Sequence, residues 1–434
     1  MRTPNRVFIL CLSLALMALA LPFSPAAGVP AFAAATPAAV VPYTILVDSR
    51  AVPFDVAPLM RSSRILVPFR AIAESLGIAV TWDQKTRTAH ASGYGKNVSL
   101  QVGNFTAQVN GIAVPLDIAP IIQNSRTLIP LRFFSEAFGC AVLWDGPART
   151  VRVSSPVRAM EVSAWYAMDG NWNGLFGSDY PVAASGGTDA IGTVIFGWYE
   201  MNEAGMLITN GTKGWKKPIG WADALASVRL YGLHADFCAY MTDGNDGTGG
   251  TGALTRLMSN PYAWQNAAMA LVTESADYDG VNLDMEGLGF SDTGEQLTAV
   301  RQQFTGFVKL VSESLHAAGK TLTLTLHPTN SVYKGYDYAA LAPLADRILL
   351  MAYDYGPKPE PYLKVHEAID SALMLVPKEK LVLGISFASE TPESLTAKLG
   401  LAKLHQLAGV SLWRLGLMIE GDWTALRSSV RPIR

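Results

Sequence analysis

Residues 278–286, Tyr-Asp-Gly-Val-Asn-Leu-Asp-Met-Glu, constrain this chain more than any other stretch. They read as a buried β-strand that ends in acid. Side chains alternate along a strand, so Val281, Leu283 and Met285 share one face, and Asn282, Asp284 and Glu286 share the other. Two carboxylates on one face of a buried strand are costly unless they have a task. At the C-terminal end of a barrel strand that task is acid–base chemistry.

The pattern around this strand predicts the rest of the second region. From about Val157 to Arg434 apolar strands alternate with amphipathic helices, the signature of a parallel sheet. Eight strands are expected, at Ala159–Trp165, Gly192–Tyr199, His234–Tyr240, Gly280–Glu286, Thr321–His327, Arg347–Tyr353, Leu381–Phe387 and Val410–Leu415. The clearest helix is Leu297–Ala318, with Val300, Phe304, Phe307, Val308, Val311 and Leu315 near 3.6-residue spacing and Gly319 as its stop. Asn260-Pro261 opens another that runs toward Ala276. An open doubly wound sheet would carry a Gly-rich phosphate loop after its first strand, and none is present. The fold class is therefore α/β, a (β/α)8 TIM barrel preceded by a small duplicated α+β domain.

The duplication is explicit. Val47–Ser92 superimposes without a gap on Val109–Ser154, at an offset of 62 residues. Ala-Val-Pro-Phe-Asp-Val-Ala-Pro at 51–58 answers Ala-Val-Pro-Leu-Asp-Ile-Ala-Pro at 113–120. Arg64, Pro68, Arg70 and Trp82-Asp83 answer Arg126, Pro130, Arg132 and Trp144-Asp145. Each copy reads as short strands, a helix (Phe69–Leu76; Leu131–Phe138), a Gly, and a strand pair around the Trp-Asp turn. Ser154-Ser155-Pro156 marks the boundary, giving expected domains at 40–155 and 157–434.

The N-terminus reads as a secretory signal over residues 1–33. Arg2 and Arg6 precede an apolar run, Val7–Leu21, and Ala31-Phe32-Ala33 offers a small-residue cleavage site. The apolar run is short for a membrane span, so a retained anchor is the weaker reading. The expected location is secreted, extracellular. The formal net charge of -2 supplies no basic field for nucleic acid or anionic lipid. Of three cysteines, Cys11 leaves with the signal, and Cys140 and Cys238 read as small buried apolar residues. His234, His327 and His366 form no pair at metal-binding spacing, so no metal or other cofactor is expected. No Gly-x-Ser-x-Gly elbow points to a serine hydrolase.

With these residues in view, the chain resembles two families. Asp279-x-x-Asn282-x-Asp284-x-Glu286 is similar to the D-x-x-D-x-D-x-E strand of glycoside hydrolase family 18. Met351-Ala352-Tyr353-Asp354 resembles that family's M-x-Y-D, and Trp413 ends the eighth strand, where the family places a Trp beneath the sugar. The duplicated region resembles the copper-amine-oxidase-type N-terminal domain. One His (His90) and one Cys (Cys140) in that region are too few for a copper site.

The resemblance implies a retaining, substrate-assisted glycosidase. Most glycosidases place two carboxyls about 5–5.5 Å or 6.5–9.5 Å apart across the bond. Two acids on one strand do not bracket a sugar, and family 18 enzymes use the substrate's own 2-acetamido oxygen instead. Glu286 is then the general acid, Asp284 holds the acetamido N–H, and Tyr353 orients the acetamido carbonyl. Asp279, Asn282, Met351, Asp354, Trp413 and Trp165 are the candidate substrate contacts. Trp165, Tyr166, Trp198 and Tyr199 suit either sugar faces or core packing. Asn282 replaces the family's middle Asp, which removes one repulsive charge and is expected to leave Asp284 ionised more easily. The segment 388–408 holds one helix and its loops, so the groove is expected to be open. The implied partner is an N-acetylglucosamine-containing polysaccharide, peptidoglycan or chitin-type, with a wall-binding role for the duplicated module. The rival reading is a non-catalytic sugar- or wall-binding protein built on an inactive barrel.

Overall fold

The computed structural model describes residues 43–167, 172–178, 186–210, 215–244 and 252–434. The expected export signal lies outside the described residues, as does most of the Gly-rich stretch after Asp243. No helix among the described residues is long and apolar enough to cross a membrane.

Eight parallel strands close into a barrel: β1 (Arg158–Ala167), β2 (Thr193–Met201), β3 (His234–Thr242), β4 (Gly280–Glu286), β5 (Thr321–Leu326), β6 (Arg347–Leu350), β7 (Leu381–Ser386) and β8 (Gly409–Trp413). Each pairs with the next, and β8 returns to β1 through Glu161↔Gly409 to Ala164↔Leu412. All eight expected strands are present. The sixth is shorter than expected because the Ala352 and Tyr353 amides bond back to Leu350 and Met351 at 2.8 and 2.9 Å. Those short-range bonds turn Met351–Tyr353 out of the ladder and across the barrel mouth.

Alternation along the strands sorts the core into two shells. Val281, Leu283 and Met285 point outward against the helices, whose apolar stripes seal that shell. Helix α1 (Pro261–Glu274) starts where the Asn260 side chain accepts the Tyr262 amide and Pro261 takes the first turn. Helix α2 (Gly294–Ala317) buries Val300, Phe304, Phe307, Val308, Val311 and Leu315, as the spacing predicts. Each fully buried large apolar side chain contributes roughly 1.5–3 kcal/mol. Gly319 ends the helix with φ +70°. The inner shell is a separate cluster of Trp165, Ile195, Trp215, Cys238, Tyr240, Leu349, Met351 and Val382. It fills the lumen, so chemistry is confined to the mouth. Helices α3 (Tyr362–Leu373) and α4 (Pro392–Leu404) flank β7, and α4 alone occupies the connection to β8.

The duplicated module folds as two interlocked copies. Its central pairing joins Arg64–Pro68 to Arg126–Pro130 antiparallel, with Leu66↔Pro130, Val67↔Ile129 and Pro68↔Leu128. Val67 thus faces its equivalent Ile129, and the flanking pairs exchange across it about a local twofold axis, as in an isologous dimer. The hairpin turns repeat as well. Asp48-Ser49 and Asn110-Gly111 all take positive φ, the conformation two-residue hairpins require.

The module docks on α4 through buried charge. The Asp48 carboxylate accepts from the Ser155 amide and hydroxyl at 2.8 and 2.6 Å. It lies 3.6 Å from the Lys403 ammonium, and both side chains are 4% exposed. Gly400 permits this approach, since a Cβ there would meet the Asp48 Cβ at 2.6 Å. Burial pulls the Lys403 ammonium below its ordinary pKa, against the opposing pull of Asp48. Removing one partner of a buried pair strands the other. Asp48→Ala is expected to cost about 3 kcal/mol in urea unfolding, with Asp48→Ala/Lys403→Met recovering much of that loss.

Candidate active site

Strand β4 carries the site because its inward face turns from apolar to acidic as it reaches the mouth. Asn282 is fully buried, and its Oδ1 accepts from the Thr325 hydroxyl at 2.9 Å. Asp284, one inward step higher, is 4% exposed. Glu286 ends the strand with a half-buried side chain. Register places Tyr240 of β3 beside Asp284, and Thr242 beside Glu286. Gly287 follows with φ +93°, a conformation that turns the chain sharply away just past the acid.

Asp284 and Glu286 are hydrogen-bonded to each other, so the pair shares a proton. Burial, then the charge and hydrogen bond of Glu286, push the Asp284 carboxyl well above the usual carboxylate range. The amide at 282 brings no charge into the lumen, but the loss of water around Asp284 and its neighbour Glu286 still hold the carboxyl high. The Asp284 Oδ1 and the Asn282 Nδ2, both in the lumen, have no hydrogen-bond partner among the described residues.

Tyr353 faces this pair from the turn that follows β6. Burial and the nearby carboxyls of Asp284 and Glu286 hold its phenol well above the ordinary tyrosine pKa, so it stays a donor. Met351 lies beneath it in the inner cluster. Asp354 has φ +63°, and its amide and that of Tyr355 donate to the Glu360 carboxylate at 3.0 Å each. Glu360 is buried, and its carbonyl accepts from Lys398 of α4 at 2.6 Å. This chain of contacts anchors the turn that carries Tyr353.

Aromatic rings form the floor. Trp413, on β8, meets Trp165 edge-on at 5.2 Å and lies 6.1 Å from Trp215. The Trp215 ring stacks on Tyr240 at 4.6 Å, nearly parallel. Trp165 is buried and donates to the Ser411 hydroxyl at 3.1 Å, whereas Trp413 remains partly open to the mouth. Tyr166, Trp198 and Tyr199 pack in the outer shell instead.

Asp279 is not part of the site. It precedes β4, at the end of the strand opposite Glu286. There its carboxylate accepts the Ala235 amide at 2.8 Å and lies 3.8 Å from His234. Its role is to close the barrel floor, because six residues of extended chain separate it from the mouth.

Several residues join the site without a distinctive sequence pattern. His327, at the end of β5, places Nε2 3.9 Å from the Glu286 carboxylate. Its ring stacks on Tyr333 at 4.0 Å, and burial lowers its pKa to about 4, so it is neutral near pH 7. Phe290, 51% exposed, lies 5.7 Å from Tyr333 and extends this aromatic row to the rim. Trp215 and Tyr240 lack a motif altogether; only strand alternation points to Tyr240. One grouping with metal-ligand chemistry occurs among the described residues, away from β4. His366 and Asp370 of α3 meet His405 just past α4, with ligand atoms within 4.8 Å of one another. Sequence spacing missed it because one ligand is an Asp and another sits on a second helix.

Comparison with known proteins agrees with this geometry. Residues 247–391 match Glycosyl hydrolases family 18, and residues 46–153 match the Copper amine oxidase N-terminal domain. The chain thus carries a family 18 domain and a duplicated N-terminal domain of the second type. It is 26% identical over 175 residues to the putative sporulation-specific glycosylase YdhD of Bacillus subtilis, covering 38% of this chain and 40% of that protein. Two solved structures share the fold. A Chromobacterium violaceum chitinase aligns at TM-score 0.50 and 20% identity, over 62% of this chain and 98% of that one. The Bacillus cereus spore cortex-lytic enzyme SleL aligns at TM-score 0.50 and 16% identity, over 64% and 76%.

The raised Asp284 pKa has a stability consequence. Below the unfolded-state pKa of about 3.9 the carboxyl is neutral in both states. As pH rises, the unfolded chain gives up its proton before the folded chain does, so folding loses stability through that interval. Asp284→Asn has no such term. Thermal unfolding from pH 4 to pH 8 is expected to show the variant gaining on the parent as pH rises, and a constant difference would refute the assignment.

Proposed function

We propose that the family 18 barrel hydrolyses β-1,4 bonds of an N-acetylglucosamine-containing polysaccharide, with retention, using the substrate's acetamido group as nucleophile. The observation that carries this reading is the hydrogen-bonded Asp284–Glu286 pair at the open end of β4, facing the Tyr353 phenol. Two acids on one strand cannot flank a sugar, so the second reacting group must come from the substrate.

The roles follow from burial. In the free chain Asp284 favours its proton. An acetamido N–H entering the lumen offers Asp284 a hydrogen bond that its charged form accepts, and the shared proton passes to Glu286. Glu286 then protonates the leaving oxygen as positive charge grows at the anomeric carbon. Asp284 stabilises the cyclic cation formed by the acetamido oxygen, and Tyr353 orients that oxygen. Water opens the intermediate with Glu286 as base. The neutral His327 beside Glu286 adds no charge that would lower the acid's pKa. Trp413 supplies the face on which the sugar ring rests.

Peptidoglycan is the first substrate and chitin-type oligosaccharide the second. The single helix α4 between β7 and β8 leaves the groove without an added wall, which suits a bulky, substituted strand. Residues 1–33 supply the export that such a substrate requires. A non-catalytic barrel is disfavoured because Glu286 retains its carboxyl at the strand tip.

Glu286→Gln is expected to lower turnover of a chromogenic N-acetylglucosamine oligomer by about 10²–10⁴-fold while leaving binding intact. Parent-level turnover in that variant would exclude the mechanism. Equal cleavage of the de-acetylated oligomer by the parent would exclude acetamido participation. Mass spectrometry of products from peptidoglycan and chitin, digested side by side, identifies the preferred polymer.

A further inference from the structure

The duplicated module carries two clefts that the barrel chemistry does not use. One, of about 730 Å³, is lined by Asp55, Pro68, Arg70, Glu74 and Trp82 of the first copy and Arg126 of the second. The other, of about 440 Å³, is lined by Asp117, Pro130, Arg132, Glu136 and Trp144 of the second copy and Arg64 of the first. These are the same positions exchanged by the local twofold. Each cleft needs both copies, because each holds a crossed ion pair. Arg64 binds Asp117 at 2.6 Å, and Arg126 binds Asp55 in the equivalent arrangement.

What the two copies kept is informative. Several buried positions have drifted, although Leu66 and Leu128 match: Phe69 answers Leu131, Ile72 answers Phe134, Ala73 answers Ser135, Leu76 answers Phe138, and Ile78 answers Cys140. The charged exposed positions of the clefts are identical in both copies, Arg70 and Arg132, Glu74 and Glu136, Asp55 and Asp117, while neutral lining positions vary, as Ala71 against Phe133. Folding alone predicts the opposite, since core positions feel packing and exposed ones tolerate change. Nor does surface charge pairing account for it. The crossed pairs are about half exposed or more, where such contacts add little to stability. Among the described residues, Arg70, Arg132, Glu74 and Glu136 make no side-chain hydrogen bond or ion pair. Each cleft thus presents one fixed ion pair, one free guanidinium, one free carboxylate and the edge or face of an indole.

We infer that each cleft binds a segment of a carboxylate-bearing N-acetylated glycan, a peptidoglycan strand, so that the module is a bivalent holder for the polymer that the barrel cleaves. The inference rests on the proposed substrate class of the barrel. The free guanidinium matches a carboxylate in a forked geometry, the free carboxylate accepts from hydroxyl and amide N–H, and the indole offers a face to a sugar ring. Twofold symmetry adds a constraint. Glycan strands have direction, and a dyad reverses any strand that crosses it. A strand crossing the dyad therefore cannot occupy both clefts in the same sense, so such a module holds two strand segments at once and gains avidity on a mesh.

The test uses the full chain in the Glu286→Gln background, so that bound polymer persists, and co-sedimentation with purified peptidoglycan. Arg70→Ala and Arg132→Ala are each expected to weaken apparent affinity about tenfold or more, through loss of two-point attachment. The double variant should fall to the weaker binding of the barrel alone while melting at the parent temperature, and Arg→Lys at both sites should restore the lost part only incompletely. Binding to insoluble chitin, which lacks the carboxylate, should be the same in all variants. Parent-level peptidoglycan binding by the double variant, or an equal loss on chitin, would overturn the inference. With Glu286 intact, the double variant should cleave a short soluble N-acetylglucosamine oligomer at the parent rate. If no form cleaves the oligomer, the catalytic reading fails while the sedimentation comparison still decides the clefts.

Discussion

A carboxyl group held without water inside a closed ring of strands is the constraint on which the rest of this site depends. Asp284 can be neutral at little expense or charged at considerable expense, and its neighbour Glu286 is close enough to take the proton in exchange. Everything nearby serves that exchange. Thr325 occupies the Asn282 oxygen, the packed lumen excludes solvent from below, and Tyr353 closes the third side as a neutral donor. The barrel achieves this because alternation sends every second residue of β4 inward, while Val281, Leu283 and Met285 secure the same strand to the helices.

Much of this was legible in the sequence, for a definite reason. Strand alternation and helical spacing are local properties, so β4, α2 and the two helices of the duplicated module follow directly from residue order. Motif likeness then assigned Glu286, Asp284 and Tyr353 to one end of the barrel. Asp279 shows the limit of that inference. It belongs to the same nine-residue stretch, yet a strand has two ends, and only the catalytic end faces the mouth. Trp215 and the Tyr333–Phe290 row were not legible because they arrive on loops whose positions depend on tertiary closure; His327 ends an expected strand, but its approach to Glu286 was not legible. The direction of the Asp284 shift was also hidden, since it depends on how completely the lumen excludes water and not on which residues are adjacent.

The duplicated module illustrates a different relation between sequence and structure. Its repeat is obvious in the linear chain, but the crossing of the two copies is not. Only the antiparallel contact of Val67 with Ile129 shows that the copies exchange partners about an axis. That crossing makes each cleft a composite, so half of the module could not present even one complete cleft.

The Asp48–Lys403 contact bears on how this chain can be divided. By residue pattern it separates cleanly at Ser155-Pro156, and each side has a core of its own. Yet the seam holds charges that satisfy one another out of reach of solvent: Asp48, held by the Ser155 amide and hydroxyl on its own side, meets Lys403 of the barrel. A break at that point would strand the Lys403 ammonium on the barrel, while Asp48 would keep only Ser155 and Arg50 of its own module. Two ancestries are visible in the residue order, but in free energy the boundary between them has been welded shut.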